Sequence, residues 1–489
     1  MSGFEYRGDH QKLKRTLGFL PTFGATVGLV VSGTAMFSVG NVGAIAGDWA
    51  WLAGLIGLVP MMCAAFAYGE LTAMMPGGGM VSDYTLPAFG RFWSMFALLS
   101  GYVLLIACDG GTQLVMGGLS MESLVGVPQP IVTFAILIIL FLINMFGVEF
   151  YGRSEAVLTI IMMVIYVVLG ALGAAGAGEA GGADPSVGGS FGEMPAGGWA
   201  AIFGTIGTAV WFYIGFEFTC PLAEENRKPY RHIPWALIIG LLTIYACDTL
   251  FLVGATQYTP LDVMATSAIP HVDASVYMLG TAGGITMSVI TILAAFTSAN
   301  AEYAALPRML YGLSREHLVP LIFGKIHPKY RTPVPGLIFT TCLMLIAVVY
   351  ITVNGANVDL VLTFIMTACV AWMVTYTIAL LDVLVLRKKY PDFPRLWKAP
   401  AVWVTMPIGI AGLVFTIYTL SDYWLNAIIC DGVIAAYCII WMKAKGIRLG
   451  EIIPLEDMVK DIRERSEYIE GWDEAVSAWL EKRADAVFS

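Results

Sequence analysis

The chain has 489 residues, of which 58% are hydrophobic and only 13% charged, about half the charged fraction of soluble globular domains. That balance excludes a water-soluble fold, and the net charge of −9, with no basic footprint, excludes a nucleic-acid partner. Apolar runs of roughly the 20 residues needed to cross a bilayer recur along nearly the whole length, so the expected partner is lipid.

About twelve spans are predicted, at 18–46, 50–75, 93–119, 130–148, 155–177, 199–221, 234–257, 277–312, 335–353, 359–386, 401–420 and 425–442. The class is an all-α integral membrane protein. With the N-terminus placed in the cytosol, all 27 Lys and Arg residues fall in segments assigned to the inside, Arg91, Arg153, Arg227, Arg308, Arg387 and Lys443 among them. A single mistaken span would put a whole loop on the wrong side, so both termini are expected in the cytoplasm and the membrane is expected to be the plasma membrane. The first 17 residues are polar and charged, so no cleavable signal is expected. All eight Cys lie in or at the ends of apolar runs, and no disulfide is expected.

The first span, GATVGLVVSGTAMFSVG, and the sixth, IFGTIGTAVWFYIGFEF, are dense in Gly and hydroxyl residues where an ordinary span is Leu-rich. Gly-interrupted helices at matching places in two five-helix halves point to an inverted repeat whose open backbone forms a binding site near the midplane. Close packing by small residues is the other explanation of such glycines. The expected divisions are a cytosolic N-terminus (1–17), a first repeat (18–177), an extracellular loop (178–198), a second repeat (199–386), two peripheral helices (387–442) and a cytosolic tail (443–489). In the tail, PLEDMVKDIRERSEYI and WDEAVSAWLEK read as short amphipathic helices of a separate polar region.

Four acids, Asp109, Glu217, Asp248 and Glu302, lie deep in predicted spans with no Lys or Arg at comparable depth. An ionised carboxylate there is costly unless paired, so a cationic ligand or a proton is expected to supply the partner. The alternative is that each acid is neutral and hydrogen-bonded. Asp109 lies eighteen residues past Arg91, about 27 Å along a helix. The five His fall outside or at the ends of spans and no nucleophile is paired with a base, so an enzyme is not expected. No repeated filter segment suggests a channel.

Three stretches carry a family resemblance. VVSGTAMF (30–37) resembles the G-S-G-I-F break in the first helix of the amino acid, polyamine and organocation (APC) superfamily; Val31 stands for the first Gly and Thr34 for the Ile. YGELTAMMPGGGMVSDY (68–84) resembles its Y-A-E-L and P-x-x-G-G-x-Y, and WFYIGFEFTCPLAEENRKPYRHIP (211–234) its sixth helix and cytoplasmic exit. SREHLVPLIFGKIHPKYRTPVP (314–335) adds a weaker match.

The resemblance implies a five-plus-five inverted repeat with broken helices one and six, two peripheral helices, and alternating access. It implies that N–H groups around Ser32, Gly33 and Thr34, beside Val31, receive a substrate carboxylate, and that carbonyls near Trp211 and Ile214 receive an amine. Trp211 stands where arginine/agmatine antiporters carry a gating Trp, Asp109 where they present a polar contact, and Glu217 on their sixth-helix acid. Glu302 replaces an aromatic residue, a departure suggesting a ligand with extra positive charge. Glu70, in the Y-A-E-L match, suggests an inner-gate or structural role.

Many proton-linked or exchanging members carry a fifth-helix Lys where this chain has Met162. Here AAFTS (294–298) resembles the A-x-x-T-S of sodium-coupled relatives. Ala294, Thr297 and Ser298, with carbonyls near Gly28 and Val31, would then form an oxygen cage for Na⁺. Back-bonding of Thr and Ser to their own helix is the alternative. The expected activity is secondary transport of an amino acid or organic amine, a cationic amine, diamine or cationic amino acid being favoured, with Na⁺, H⁺ or exchange as the drive and no cofactor beyond a coupling ion. A permease for a neutral amino acid and a transport-inactive sensor are the alternatives. Nothing in the sequence names a protein partner.

Overall fold

A computed structural model describes residues 14–146, 151–189, 192–328, 330 and 332–488. Residues 1–13 of the expected N-terminus, residues 190–191 of the expected extracellular loop, the Arg153 side chain, and Lys329 and Arg331 of the 314–335 match lie outside them. Among the described residues there is no strand; a single bridge joins Leu17 to Asn226. This is what a bilayer demands, because a helix satisfies its own backbone where no water can.

The first span is two helices, Phe19–Val30 and Gly33–Ala46, and the second is Ala50–Met74. After the short helix Val81–Phe89 come the third span, Arg91–Val125, the fourth, Gln129–Phe146, and the fifth, Tyr151–Ala174. The sixth, Gly198–Glu225, is again interrupted. The seventh is Pro229–Tyr258, and the short helix Leu261–Thr266 leads to the eighth, Pro270–Arg315. Val334–Asn354, Val358–Lys389, Val402–Thr419 and Trp424–Ala444 complete the set.

Among the described residues ten apolar runs are long enough to cross a membrane; Gly33–Met74 counts as one of them, while Phe19–Val30 and Gln129–Met145 fall short of the length. Twelve is recovered by pairing the halves of the first span across its break, separating the second span from it, and counting the shorter fourth helix as a span. Two boundaries differ from expectation for a local reason. The eighth span begins at Pro270 rather than 277, and its first turns break from the rest at Leu279 and Gly280 (φ +65°). The third extends to Val125, where Gly126 in the left-handed region (φ +73°) ends it, and two wide π-helical turns, Leu99–Val103 and Ile106–Gly110, interrupt its middle.

The eleventh and twelfth spans are the least buried, with about a quarter and a sixth of their apolar window covered. Polar contacts tie the twelfth inward, among them the Ser100 hydroxyl donating to Asp431 (2.6 Å) at the first π-helical turn. A carboxylate facing lipid would be costly, so this contact also sets which face of the helix turns inward.

One end of the bundle gathers the basic residues. There Glu70, fully buried on the second span, accepts hydrogen bonds from Arg387 Nε and Nη2 (2.7 and 2.6 Å), Arg395 Nε (3.1 Å) and the Ala399 backbone N–H (2.7 Å). At the same end the tail is docked, not separate as its composition suggests. Helices Leu455–Arg465 and Trp472–Phe488 lie on the bundle. Arg465 pairs with Asp83 (3.0 Å) and Glu224 (3.5 Å), and the Trp472 indole N–H donates to the Met74 carbonyl (3.2 Å). Burial penalises the Arg465 charge, but Asp83, Glu224 and Asp461 outweigh it and hold the guanidinium above its ordinary value.

Glu70→Gln is expected to lower the unfolding free energy in an SDS titration by about 3–5 kcal/mol, since it leaves two guanidinium groups without their carboxylate. An unchanged midpoint would mean that Arg387 and Arg395 are held by other acceptors.

Candidate substrate site at two broken helices

The first span breaks at Val31 and Ser32, where φ and ψ leave the helical region. Ser32 caps the second half, its Oγ accepting from the Ala35 N–H (3.1 Å) and lying 3.1 Å from the Thr34 hydroxyl. The N–H groups of Gly33 and Thr34, in the first turn, have no acceptor within their helix and stand at the positive end of its dipole. Ser32 differs from expectation: its own N–H donates to the Val30 carbonyl (2.8 Å), so it is not free for a carboxylate.

The sixth span breaks at the same level. After a tight turn at Trp211–Tyr213 the chain extends at Ile214 and turns left-handed at Gly215 (φ +99°), then continues as the 3₁₀ segment Phe216–Glu225. A Cβ on Gly215 would lie 2.0 Å from Leu29 Cδ2, so the two breaks abut. Trp211 is buried beside the break, and its carbonyl already accepts from the Ile214 N–H (3.4 Å). Val31, Ser32, Gly33, Thr34, Trp211 and Ile214 are all buried.

The four acids separate into three environments. Asp109 sits in the second π-helical turn, a local widening that recurs at functional sites, near the Thr34 hydroxyl of the first-span break. One amide joins it to Glu302: Gln113 Nε2 donates to Asp109 Oδ2 (3.2 Å) and Glu302 Oε1 (2.8 Å). Asp109 Oδ1, Glu302 Oε2 and Gln113 Oε1 are buried without a hydrogen-bond donor. No Lys or Arg among the described residues pairs with either acid. Glu302 stands behind Asp109 rather than beside the breaks; its Oε2 would lie 2.5 Å from a Cβ on Gly110, next to Met344 of the ninth span.

Glu217 is elsewhere. Its oxygens accept from Tyr102 (3.0 Å) and Tyr376 (2.6 Å), with Tyr68 bonded to Tyr102 (3.2 Å), so this acid ties the third, sixth and tenth spans together instead of pointing into the break. Asp248 accepts from Tyr166 (3.1 Å) between the seventh and fifth spans, one turn from buried Met162. The oxygens expected to hold a cation partly converge. Ser298 Oγ donates to the Leu29 and Gly28 carbonyls (3.1 and 3.3 Å), joining the eighth span to the first, whereas Thr297 Oγ bonds only the Ala294 carbonyl of its own helix (3.2 Å). The Val31 N–H is spent on the Val27 carbonyl.

Residues 17–442 match the family model described as amino acid permease. The chain belongs to that family. An uncharacterized transporter of Rhizobium meliloti (strain 1021) is 26% identical, over 91% of this chain and 95% of its own length. Branched-chain amino acid permease BcaP and serine/threonine exchanger SteT of Bacillus subtilis (strain 168) are 23% and 25% identical, covering 86% and 83% of this chain and 90% and 91% of theirs. The fold is also that of a solved manganese transporter from Eremococcus coleocola, with TM-score 0.54 at 13% identity, covering 94% of this chain and 99% of that one. The permease is therefore a membrane transporter of the APC type and not an enzyme.

Sequence reasoning missed four residues in and around this permease's site. Gln113 was legible in principle, four residues after Asp109 and so on the same helix face. Tyr102 and Tyr376 had no signal, because their shared acid is distant in sequence. His271, placed by sequence at a span end, is fully buried; its Nε2 lies 2.9 Å from the Thr291 hydroxyl, and Thr291 Cγ2 would sit 3.3 Å from a Cβ on Gly33.

Gly215→Ala should be poorly tolerated, since it adds about 1–2 kcal/mol of left-handed strain to the collision with Leu29. A lowered melting temperature with loss of amino acid flux is expected. A variant melting and transporting like the parent would show that the sixth-span break is not needed in this form.

Proposed function

We propose that this permease moves an amino acid or organic amine with positive charge beyond its α-amino group across the plasma membrane by alternating access, its basic end and both termini in the cytoplasm. The observation that carries the reading is the Asp109–Gln113–Glu302 cluster, two carboxylates with unused buried oxygens and no protein cation beside the first-span break. A substrate carboxylate would meet the N–H groups of Gly33 and Thr34. Its amine end would meet Asp109, with the carbonyls near Ile214 and the Trp211 ring closing over it. Glu302 acts through Gln113, adding negative charge behind Asp109. Placing the basic end inside follows the positive-inside bias.

The second reading is a neutral amino acid with a proton on the carboxylate pair. It is favoured by relatives whose printed names cite branched-chain amino acids, or serine and threonine. For the drive, the convergence of Ser298 Oγ with the Gly28 and Leu29 carbonyls supports a hard cation such as Na⁺ between the first and eighth spans. Proton coupling or exchange is the competing drive.

Purified protein in liposomes, offered diamines, cationic amino acids and neutral amino acids, separates these readings, because a bound ligand raises the apparent stability of the folded state. Diamines or cationic amino acids should stabilise the parent, and Asp109→Asn or Glu302→Gln should weaken binding by about 1.5–3 kcal/mol, roughly ten- to a hundredfold. Stabilisation by neutral amino acids alone, unaffected by either substitution, would sink the cationic reading.

The drive has its own readout. Sodium coupling predicts that uptake falls when Na⁺ is replaced by K⁺ or choline at constant pH, and that Ser298→Ala removes the difference. Uptake indifferent to the replacement would exclude it.

A further inference from the structure

The tail docked on the basic end touches both sides of the cleft that alternating access must open there. On the side of the broken spans, Arg465 pairs with Glu224 at the end of the sixth span (3.5 Å). Arg15, just ahead of the first span, donates to the Glu467 carbonyl (2.9 Å) and to the Ala223 and Asn226 carbonyls (both 2.8 Å). Lys228, at the start of the seventh span, lies 3.6 Å from Glu470. On the opposing side, Arg315 at the end of the eighth span pairs with Asp461 (3.4 Å), and Arg91 at the start of the third pairs with Glu451 (3.1 Å).

Between these anchors Arg465 is the keystone. Its side chain is 11% exposed, its Nη2 bonds Asp83 (3.0 Å), and it fills the space beside Gly77, where a Cβ would lie 2.5 Å from it. Glu224 in turn accepts from the Gly78 N–H (2.9 Å). A single guanidinium thus joins the tail, the loop after the second span and the end of the sixth.

The cleft beneath has a direct closure of its own, the Glu225–Arg308 pair between the sixth and eighth spans (3.3 Å). Opening it separates Glu224 from Arg315, and the tail is bonded to both. The helix pair therefore has to let go of one side, exposing Asp83 and Glu224 without their partner, before the site can open at this end.

We propose that the C-terminal helix pair is a lock on the cytoplasmic gate, with Arg465 as its bolt, so that its release sets how often the carrier opens inward. The lock does not touch the substrate site and does not depend on which substrate occupies it. Whatever loosens the Arg465 contacts shifts the carrier toward its inward-open state without altering the residues around the helix breaks.

The test uses the full chain carrying Ala304→Cys, a small buried position one turn deeper than Arg308 on the same face of the eighth span. A membrane-impermeant maleimide is added to either face of sealed vesicles, and modification at residue 304 is followed by mass spectrometry. Adding Arg465→Gln should raise the labelling rate from one face only by at least about fivefold, the lower range of coupling between sites. Arg465→Lys, which keeps the charge and loses the fork, should fall between. If Arg465→Gln does not yield monodisperse protein, Trp472→Phe removes the bond to Met74 and keeps the ring; it should act in the same direction. Labelling at the parent rate in whichever of these variants is folded would overturn the lock and leave the tail a rigid brace.

Discussion

The structure depends on two places where a membrane helix gives up its own hydrogen bonding. A broken backbone in hydrocarbon is tolerated only where protein or ligand groups meet the freed donors and acceptors. At Val31–Ser32 and at Ile214–Gly215 the chain meets that demand by bringing the breaks together, with Leu29 against Gly215 and the Ser32 hydroxyl capping Ala35. The N–H groups of Gly33 and Thr34, without acceptors in their own helix, are the chemistry the site can offer an anion. The surrounding spans hold this arrangement and limit what can approach it.

The buried acids show how differently one residue type can be used at similar depth. Glu70 is met by two arginines and serves as a joint among the second span, the tenth and the loop after it. Glu217 is met by two tyrosines and joins three spans. Asp109 and Glu302 have one shared amide and unused oxygens, so of these four it is this pair that has an unmet need for positive charge. Burial is nearly equal among them; what distinguishes them is the number and kind of donors supplied by other spans.

The same reasoning applies at the basic end. The tail's amphipathic helices could pack on one another or on a partner. They lie instead on the bundle because Asp83, Glu224 and the Met74 carbonyl face them there, offering a guanidinium and an indole the acceptors they require. The ion pairs at this end thereby lie in two layers, with Glu225–Arg308 beneath and Arg465 above.

What the sequence by itself determined is what depends on composition and local order: a helical membrane protein, the run of spans, the bias of basic residues to one end, and breaks in the first and sixth spans, where Gly and hydroxyl residues replace Leu. Asp109 was legible for the same reason, since a charge in an apolar run is visible without neighbours, and the motifs at 30–37, 68–84 and 211–234 sufficed to indicate the family. Tertiary structure alone decided which acid is satisfied. Donors such as Tyr376 for Glu217, Arg395 for Glu70 and Gln113 for Glu302 come from spans far away in sequence, and no local pattern encodes their approach. It also decided the place of the tail and the wide turns of the third span, because both depend on contacts between elements rather than on the residues within one.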